Sequence, residues 1–245
     1  MKYELETIPI WDTYDGDFEC PLCALEQKSE QSYIDFYLGS SVMNPETRVA
    51  VNSKGFCPGH FSRLFASRKN RHGLGLISHT HLKERAKALA GIEKRLLAKS
   101  KGNREESLKK LSAEYIKALT RGNGSCIICD RLDYTLKRYT FTILYLWKKD
   151  DQGFRRKYAE SKGFCTRHLP GILEMAPEVL SGGAYADWMK ATVENQQKCM
   201  QRLDEEIFWY TQKFDFQNND KPWGTSKDAI NRTIQKLTGV IQTDE

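Results

Sequence analysis

The chain has 245 residues, 40% of them hydrophobic and 29% charged, with a net charge of +6. That balance fits a soluble globular protein with enough chain to bury a core as one domain or two. No stretch approaches the ~18 apolar residues that cross a bilayer, and "MKYELETIPIWDTYDGDFEC" lacks the apolar centre and small-residue cleavage site of a secretion signal, so a cytoplasmic protein with no membrane partner is expected.

In chain order, the first clear element follows Cys23. "ALEQKSEQSYIDFYL" has the composition of a helix. Beyond His60, "LKERAKALAGIEKRLL" puts Leu82, Ala86, Leu89 and Ile92 or Leu96 on one stripe. A polar break at "KSKGNREES" precedes a further amphipathic helix, "SLKKLSAEYIKAL". After Cys129, Leu132, Leu136, Tyr139, Ile143 and Leu146 step by four, three, four and three, and Tyr134, Phe141, Tyr145 and Trp147 make a second apolar face. That pattern predicts a central, buried helix. "YTFTILYLW" alone could pass for a strand. Beyond His168, Trp188, Thr192, Asn195, Cys199, Leu203, Ile207, Tyr210 and Phe214 keep the helical rhythm over seven turns. "PWGTSKDAINRTIQKL" reads as a turn anchored by Trp223, a Thr225 or Ser226 cap and a short last helix. Nothing alternates as a sheet would, so the expected fold is all-α.

The chain also writes one sentence twice. "NSKGFCPGH" ends at His60 and "ESKGFCTRH" ends at His168, and each follows a CxxC. Cys20 and Cys23 precede Cys57 and His60; Cys126 and Cys129 precede Cys165 and His168. The two copies are offset by 106 residues at the first pair and 108 at the second. Repetition on this scale indicates a duplicated supersecondary unit. It suggests two pseudo-repeated helical halves, 1–105 and 106–245, each pinned by its own site.

Three thiols and an imidazole are the ligand set of a closed, tetrahedral structural zinc site. A lone CxxC is weak evidence, but two, each with a GFCxxH at nearly equal distance, are not a chance pattern. Zinc is favoured over an iron–sulfur cluster because histidine as the fourth ligand is commoner for zinc, and the cluster stays as the alternative. Two metals per chain are expected. Spacing leaves the pairing open. Local sites, Cys20/Cys23/Cys57/His60 and Cys126/Cys129/Cys165/His168, are simplest, and a swapped arrangement satisfies the same counts. A helix leaving Cys23 for ~30 Å could be retraced by a dozen extended residues. Gly55 and Gly163 would then turn the chain into the third ligand.

Other candidates carry less. Cys199 lies on an apolar stripe and reads as a core thiol. His79 and His81 point in different directions on a helix. His72 reads as a loop or helix-end residue, and the acidic "YDGDFE" does not complete an EF-hand. Residues 61–121 hold 16 basic and 5 acidic side chains, so this segment is the one electrostatic landing site for an anion. Lys83, Arg85, Lys87, Lys94, Arg95, Lys99, Lys109 and Lys110 would supply backbone contacts to a nucleic acid, unless they simply solvate long surface helices.

With these motifs placed, the chain resembles an uncharacterised bacterial family classed as a domain of unknown function. The likeness rests on the CPLC at Cys20–Cys23, GFCxxH at Gly55–His60, the second CxxC at Cys126–Cys129, the second GFCxxH at Gly163–His168, and the PWG–SKDA segment at Pro222–Ala229. It covers nearly the whole chain and implies paired metal-binding motifs. No phosphate loop, nucleophile elbow or HExxH is present. The expectation is a zinc-stabilised helical protein that binds another protein or acts as a scaffold. The alternatives are a nucleic-acid-binding protein using residues 61–121 and a thiol-based redox or metal-sensing protein.

Overall fold

The computed structural model describes residues 3, 5–100, 105–120 and 124–240, and among these it contains eleven α-helices and no strand. They are α1 (Thr7–Asp15), α2 (Pro21–Leu38), α3 (Pro45–Lys54), α4 (Pro58–Ala66), α5 (Arg71–Ser100), α6 (Glu105–Thr120), α7 (Ile127–Lys149), α8 (Phe154–Glu160), α9 (Leu169–Val179), α10 (Gly182–Gln212) and α11 (Ala229–Thr238). The fold is all-α, and "YTFTILYLW" lies inside α7. The centre of the break at "KSKGNREES", residues 101–104, lies outside the described residues. No described helix is long and apolar enough to cross a membrane.

The chain divides into two units, and the division is not at residue 105. One unit joins 1–29 to 134–245, and the other is the continuous segment 30–133. The dividing points fall inside α2 and α7, so each of these helices contributes to both units. The discontinuous unit is built on Ile10, Leu22, Ile143, Trp147, Phe154 and Trp188. The continuous unit is built on Tyr37, Val51, Phe56, Leu64, Ile77 and Ile128.

After each long helix the chain is again largely helical. After α2, Asn44 caps α3 by accepting from Thr47 N at 3.0 Å, with Pro45 at the first helical position and Glu46 in the first turn. At 1.5 Å per residue the ten residues of α3 span about 15 Å, against about 27 Å for the eighteen of α2. The seven residues of α8 cover still less of the path of α7. Helical segments shorten the reach of each connection relative to extended chain.

Two expected stripes are only partly buried. In α5 the covered residues are Gly73, Leu74 and Ile77, while Leu82 and Ala86 face solvent. Beyond that point α5 runs beside α6, and Leu89, Ile92 and Leu96 are half-covered. In α10 burial runs from Trp188 to Leu203, and Phe214 lies past the helix end and is exposed. Tyr134 of α7 is exposed as well. At the last helix the N-cap position belongs to Asp228, without a side-chain cap bond, and the Ser226 hydroxyl donates to the Trp223 carbonyl at 2.6 Å. Trp223 does anchor its turn. Its ring packs on Tyr210 and Phe214, and the buried Lys213 beneath it donates to the carbonyls of Asn218, Asn219 and Lys221.

Candidate metal centres

All eight motif residues gather into two groups of four, and the groups exchange partners between the repeats. Cys20 and Cys23 meet Cys165 and His168 in the discontinuous unit, and Cys57 and His60 meet Cys126 and Cys129 in the continuous one. The local pairing, simplest by sequence, is replaced by the swapped one.

Each CxxC opens a long helix. Cys20 and Cys126 immediately precede α2 and α7, so Cys23 and Cys129 fall in the first turns. Cys57 is the N-cap of α4, with His60 one turn on. Cys165 and His168 form the turn before α9, closed by Leu169 N to the Cys165 carbonyl at 3.0 Å. Ahead of each of these cysteines stands a glycine at positive φ, Gly55 at +70° and Gly163 at +67°, a backbone setting that favours glycine.

Within each group the donor atoms lie within 4.8 Å of one another. In the first, His168 Nδ1 is 3.7, 3.4 and 3.3 Å from the sulfurs of Cys20, Cys23 and Cys165, and Cys23 and Cys165 are 3.5 Å apart. In the second, His60 Nδ1 is 3.1, 3.3 and 3.4 Å from Cys57, Cys126 and Cys129, and Cys57 and Cys129 are 3.8 Å apart. Metal–ligand bonds of ~2.3 Å to sulfur and ~2.0 Å to nitrogen give tetrahedral edges of about 3.5–3.8 Å. The residues present fit a single four-coordinate ion.

Both histidines offer Nδ1 to the thiols and turn Nε2 toward a carboxylate on α2. Glu30 Oε1 lies 3.0 Å from His60 Nε2, off the axis of the ring N–H, and Arg63 pairs with the same carboxylate. Glu26 Oε2 lies 3.4 Å from His168 Nε2 and pairs with Arg167, whose Nη2 is 3.1 Å from that nitrogen. A carboxylate behind a ligating imidazole fixes its ring orientation and raises its basicity. Sequence reading missed these residues. Their signal was the four-residue step from Glu26 to Glu30 along one helix face.

Without an ion, the groups polarise each other. Burial drives the His60 imidazolium down, but the Cys126 sulfur and Glu30 outweigh it and hold the ring up at about 10. Burial raises the Cys126 thiol, yet His60 and nearby backbone amides bring it down to about 6. Burial and the neighbouring Cys126 push Cys129 up to about 12. Around His168, itself at about 9 because Cys165 and Cys20 overcome its burial, hydrogen bonds from Cys20 and Cys23 lower Cys165 and correspondingly raise Cys23. In each group a lowered thiol thus faces a raised imidazole, and a bound cation would compete with protons for these donors.

The other candidates fall outside these groups. Cys199 is a buried core thiol, raised by burial, with its sulfur 3.2 Å from Asn195 Oδ1. The acidic residues of "YDGDFE" are spent on ion pairs, Asp15 with Lys157 and Asp17 with Lys162. His72, His79 and His81 all lie on α5 and join neither group. Of the basic residues, Lys83, Lys87, Lys94, Arg95 and Lys99 are exposed on α5, and Lys109 and Lys110 on α6. Arg95 pairs with Glu114 and Lys109 with Glu105, and the half-covered Arg85 donates to the Leu119 carbonyl at 2.7 Å.

The model of the family of unknown function DUF6062 matches residues 1–244. An uncharacterised 23.9 kDa protein in the xynA 3' region of Caldicellulosiruptor sp. (strain Rt8B.4) is 24% identical over 187 residues, which is 76% of this chain and 81% of that protein. No solved structure matches the chain. Coverage by the family model from the first residue to the last but one is decisive: the chain belongs to the family of unknown function DUF6062.

Proposed function

We propose that this is a non-enzymatic zinc protein whose two closed sites hold a helical scaffold for binding another protein. The observation carrying the reading is the pair of compact Cys3His groups, each spending four protein donors. Four protein ligands leave no position for a substrate or an activated water, so such a site contributes folding energy rather than chemistry. The 4.8 Å envelope suits one ion; an iron–sulfur cluster interposes its own iron and sulfide and spreads its ligands further. The test is metal content by plasma mass spectrometry with an absorption spectrum, on protein purified without added metal. Two zinc per chain without visible absorbance are expected. Iron with sulfide, or no stoichiometric metal, would overturn the reading.

The second reading, nucleic-acid binding, is favoured by the exposed lysines of α5 and α6. Some of this charge is neutralised within the helix pair, which weakens it. Binding to a single-stranded or duplex probe should then fall steeply with salt. Absence of binding at low salt removes this reading.

A further inference from the structure

The repeats share five residues, Ser53–Cys57 and Ser161–Cys165, but the two copies are covered differently. In the discontinuous unit α11 closes over this segment. The Lys236 carbonyl accepts from Thr166 N at 2.9 Å, and Leu237 accepts from the Thr166 hydroxyl. The Lys236 amino group, 1% exposed, donates to the carbonyls of Glu19, at 3.0 Å, and Lys162. A Cβ on Gly239 would stand 3.2 Å from the Cys165 sulfur, and the Gly239 carbonyl lies 3.6 Å from that of Cys23. The positions that α11 covers are thus 19, 162, 163, 165 and 166.

Their counterparts in the continuous unit, by the offsets of the repeat, are Ser125, Lys54, Gly55, Cys57 and Pro58. All five line an open groove of about 700 Å³, whose far wall is α5 with His81, Glu84, Arg85 and Ala88. His81 stands over Gly55 much as Gln196 stands over Gly163. One unit is closed by its own helix; the other has the corresponding seat, with no such helix over it among the described residues.

We infer that this groove receives an amphipathic helix of a partner protein, one that carries a lysine in its last turn just before a glycine. The inference rests on the protein-binding reading above and names its site and the form of its ligand. The Lys54 carbonyl accepts from Ser125 Oγ at 2.7 Å, and a carbonyl oxygen has a second lone pair to offer an incoming ammonium; Glu84 lines the same groove, as does Arg85. The occupant is not α11 of a second copy, because that helix is committed at home through the buried Lys236. Docking here is weaker than in the closed unit. Pro58 replaces Thr166 and offers no backbone N–H to the incoming carbonyl, which suits a partner that comes and goes.

The test uses the chain's own closing helix as probe. A labelled peptide of residues Thr225–Val240 is added to the metal-loaded full-length protein and followed by fluorescence anisotropy, with metal content measured on the same sample. Saturable one-to-one binding is expected, weakened at least tenfold by Lys236→Ala in the peptide. Ala88→Trp in the protein, an exposed position that walls the groove, should weaken it as much. No saturable binding to protein holding two metals per chain would overturn the groove and leave the metal reading standing. Equal binding to the Ala88→Trp protein would also overturn it. Light scattering on the protein alone should show no dimer that Ala88→Trp dissolves; such a dimer would place a second copy's α11 in the groove and overturn the partner assignment. Binding by protein that carries no metal would instead sink the metal reading alone.

Discussion

Glu19 stands immediately before the first ligand, and its carboxylate is 3% exposed. Arg202 grips both of its oxygens, at 2.8 and 2.7 Å, while Arg232 Nη1 lies at 3.4 Å, Lys162 Nζ at 3.8 Å and Lys236 Nζ at 4.0 Å. Replacing it with alanine leaves those cations in a covered site with one carboxylate fewer. Removing one partner of a buried ion pair costs roughly 3–5 kcal/mol. Glu206 remains to pair with Arg202 and Arg232, and Lys236 keeps its two carbonyl acceptors, so the lower end applies. Glu19→Ala should therefore destabilise the discontinuous unit by about 3 kcal/mol. The contrast is Lys54→Ala, which breaks a pair with Asp130 whose side chains are each 50% exposed and should cost no more than ~1 kcal/mol. Urea denaturation followed by circular dichroism on metal-loaded protein measures both. A cost below ~1 kcal/mol for Glu19→Ala, equal to that of the exposed pair, would refute the view that this network closes the unit.

The same network sets an acid limit. Burial raises the Glu206 carboxyl, but Arg232 and Arg202 more than compensate and hold it below its usual value. A carboxyl lowered on folding stabilises above its unfolded pKa, and that contribution should fade as pH falls through the folded value, seen as a falling urea midpoint below about pH 4. The exchanged pairing has a direct stoichiometric test: Cys20→Ser with Cys165→Ser should keep one metal per chain, whereas Cys20→Ser with Cys57→Ser should keep none. Glu26→Ala and Glu30→Ala should each weaken metal retention at one site about 10–100-fold in chelator competition, without changing the number of metals bound in excess zinc. Gly163→Ala, at positive φ with Gln196 Oε1 2.8 Å from the new Cβ, should cost at least ~1–2 kcal/mol in thermal or urea unfolding. Gly171→Ala, in an open position of α9, should instead gain up to ~1 kcal/mol.

The ligands were legible because their chemistry is written in residue type and local spacing, which survive any choice of pairing. Helices α6, α7 and α10 were legible because their apolar residues recur at helical intervals, and α2 through its composition. Pairing was not, since it depends on how far the chain travels between motifs. That distance is shortened by α3 and α8, whose short apolar content gave no periodic stripe. The Asn44–Pro45–Glu46 start of α3 carried the missing information. The exposure of Leu82, Ala86 and Phe214 was illegible for a related reason: a stripe shows which face would be buried, not where the neighbouring helix stops. Glu26 and Glu30 looked like ordinary surface charge until the histidines were placed beside them.

The crossing of the repeats also bears on how the chain is made. Cys23 and Cys165 are separated by 142 residues and Cys57 and Cys129 by 72. At roughly 5–20 residues per second of synthesis, the first CxxC waits about 7–28 s for its partners, and Cys57 waits about 4–14 s. The continuous unit can thus close on a growing nascent chain while Cys20 and Cys23, made earliest, are still open thiols. The site whose first cysteines emerge first is the last to be completed, and its early cysteines are the ones a cell must keep reduced until Cys165 and His168 have been made.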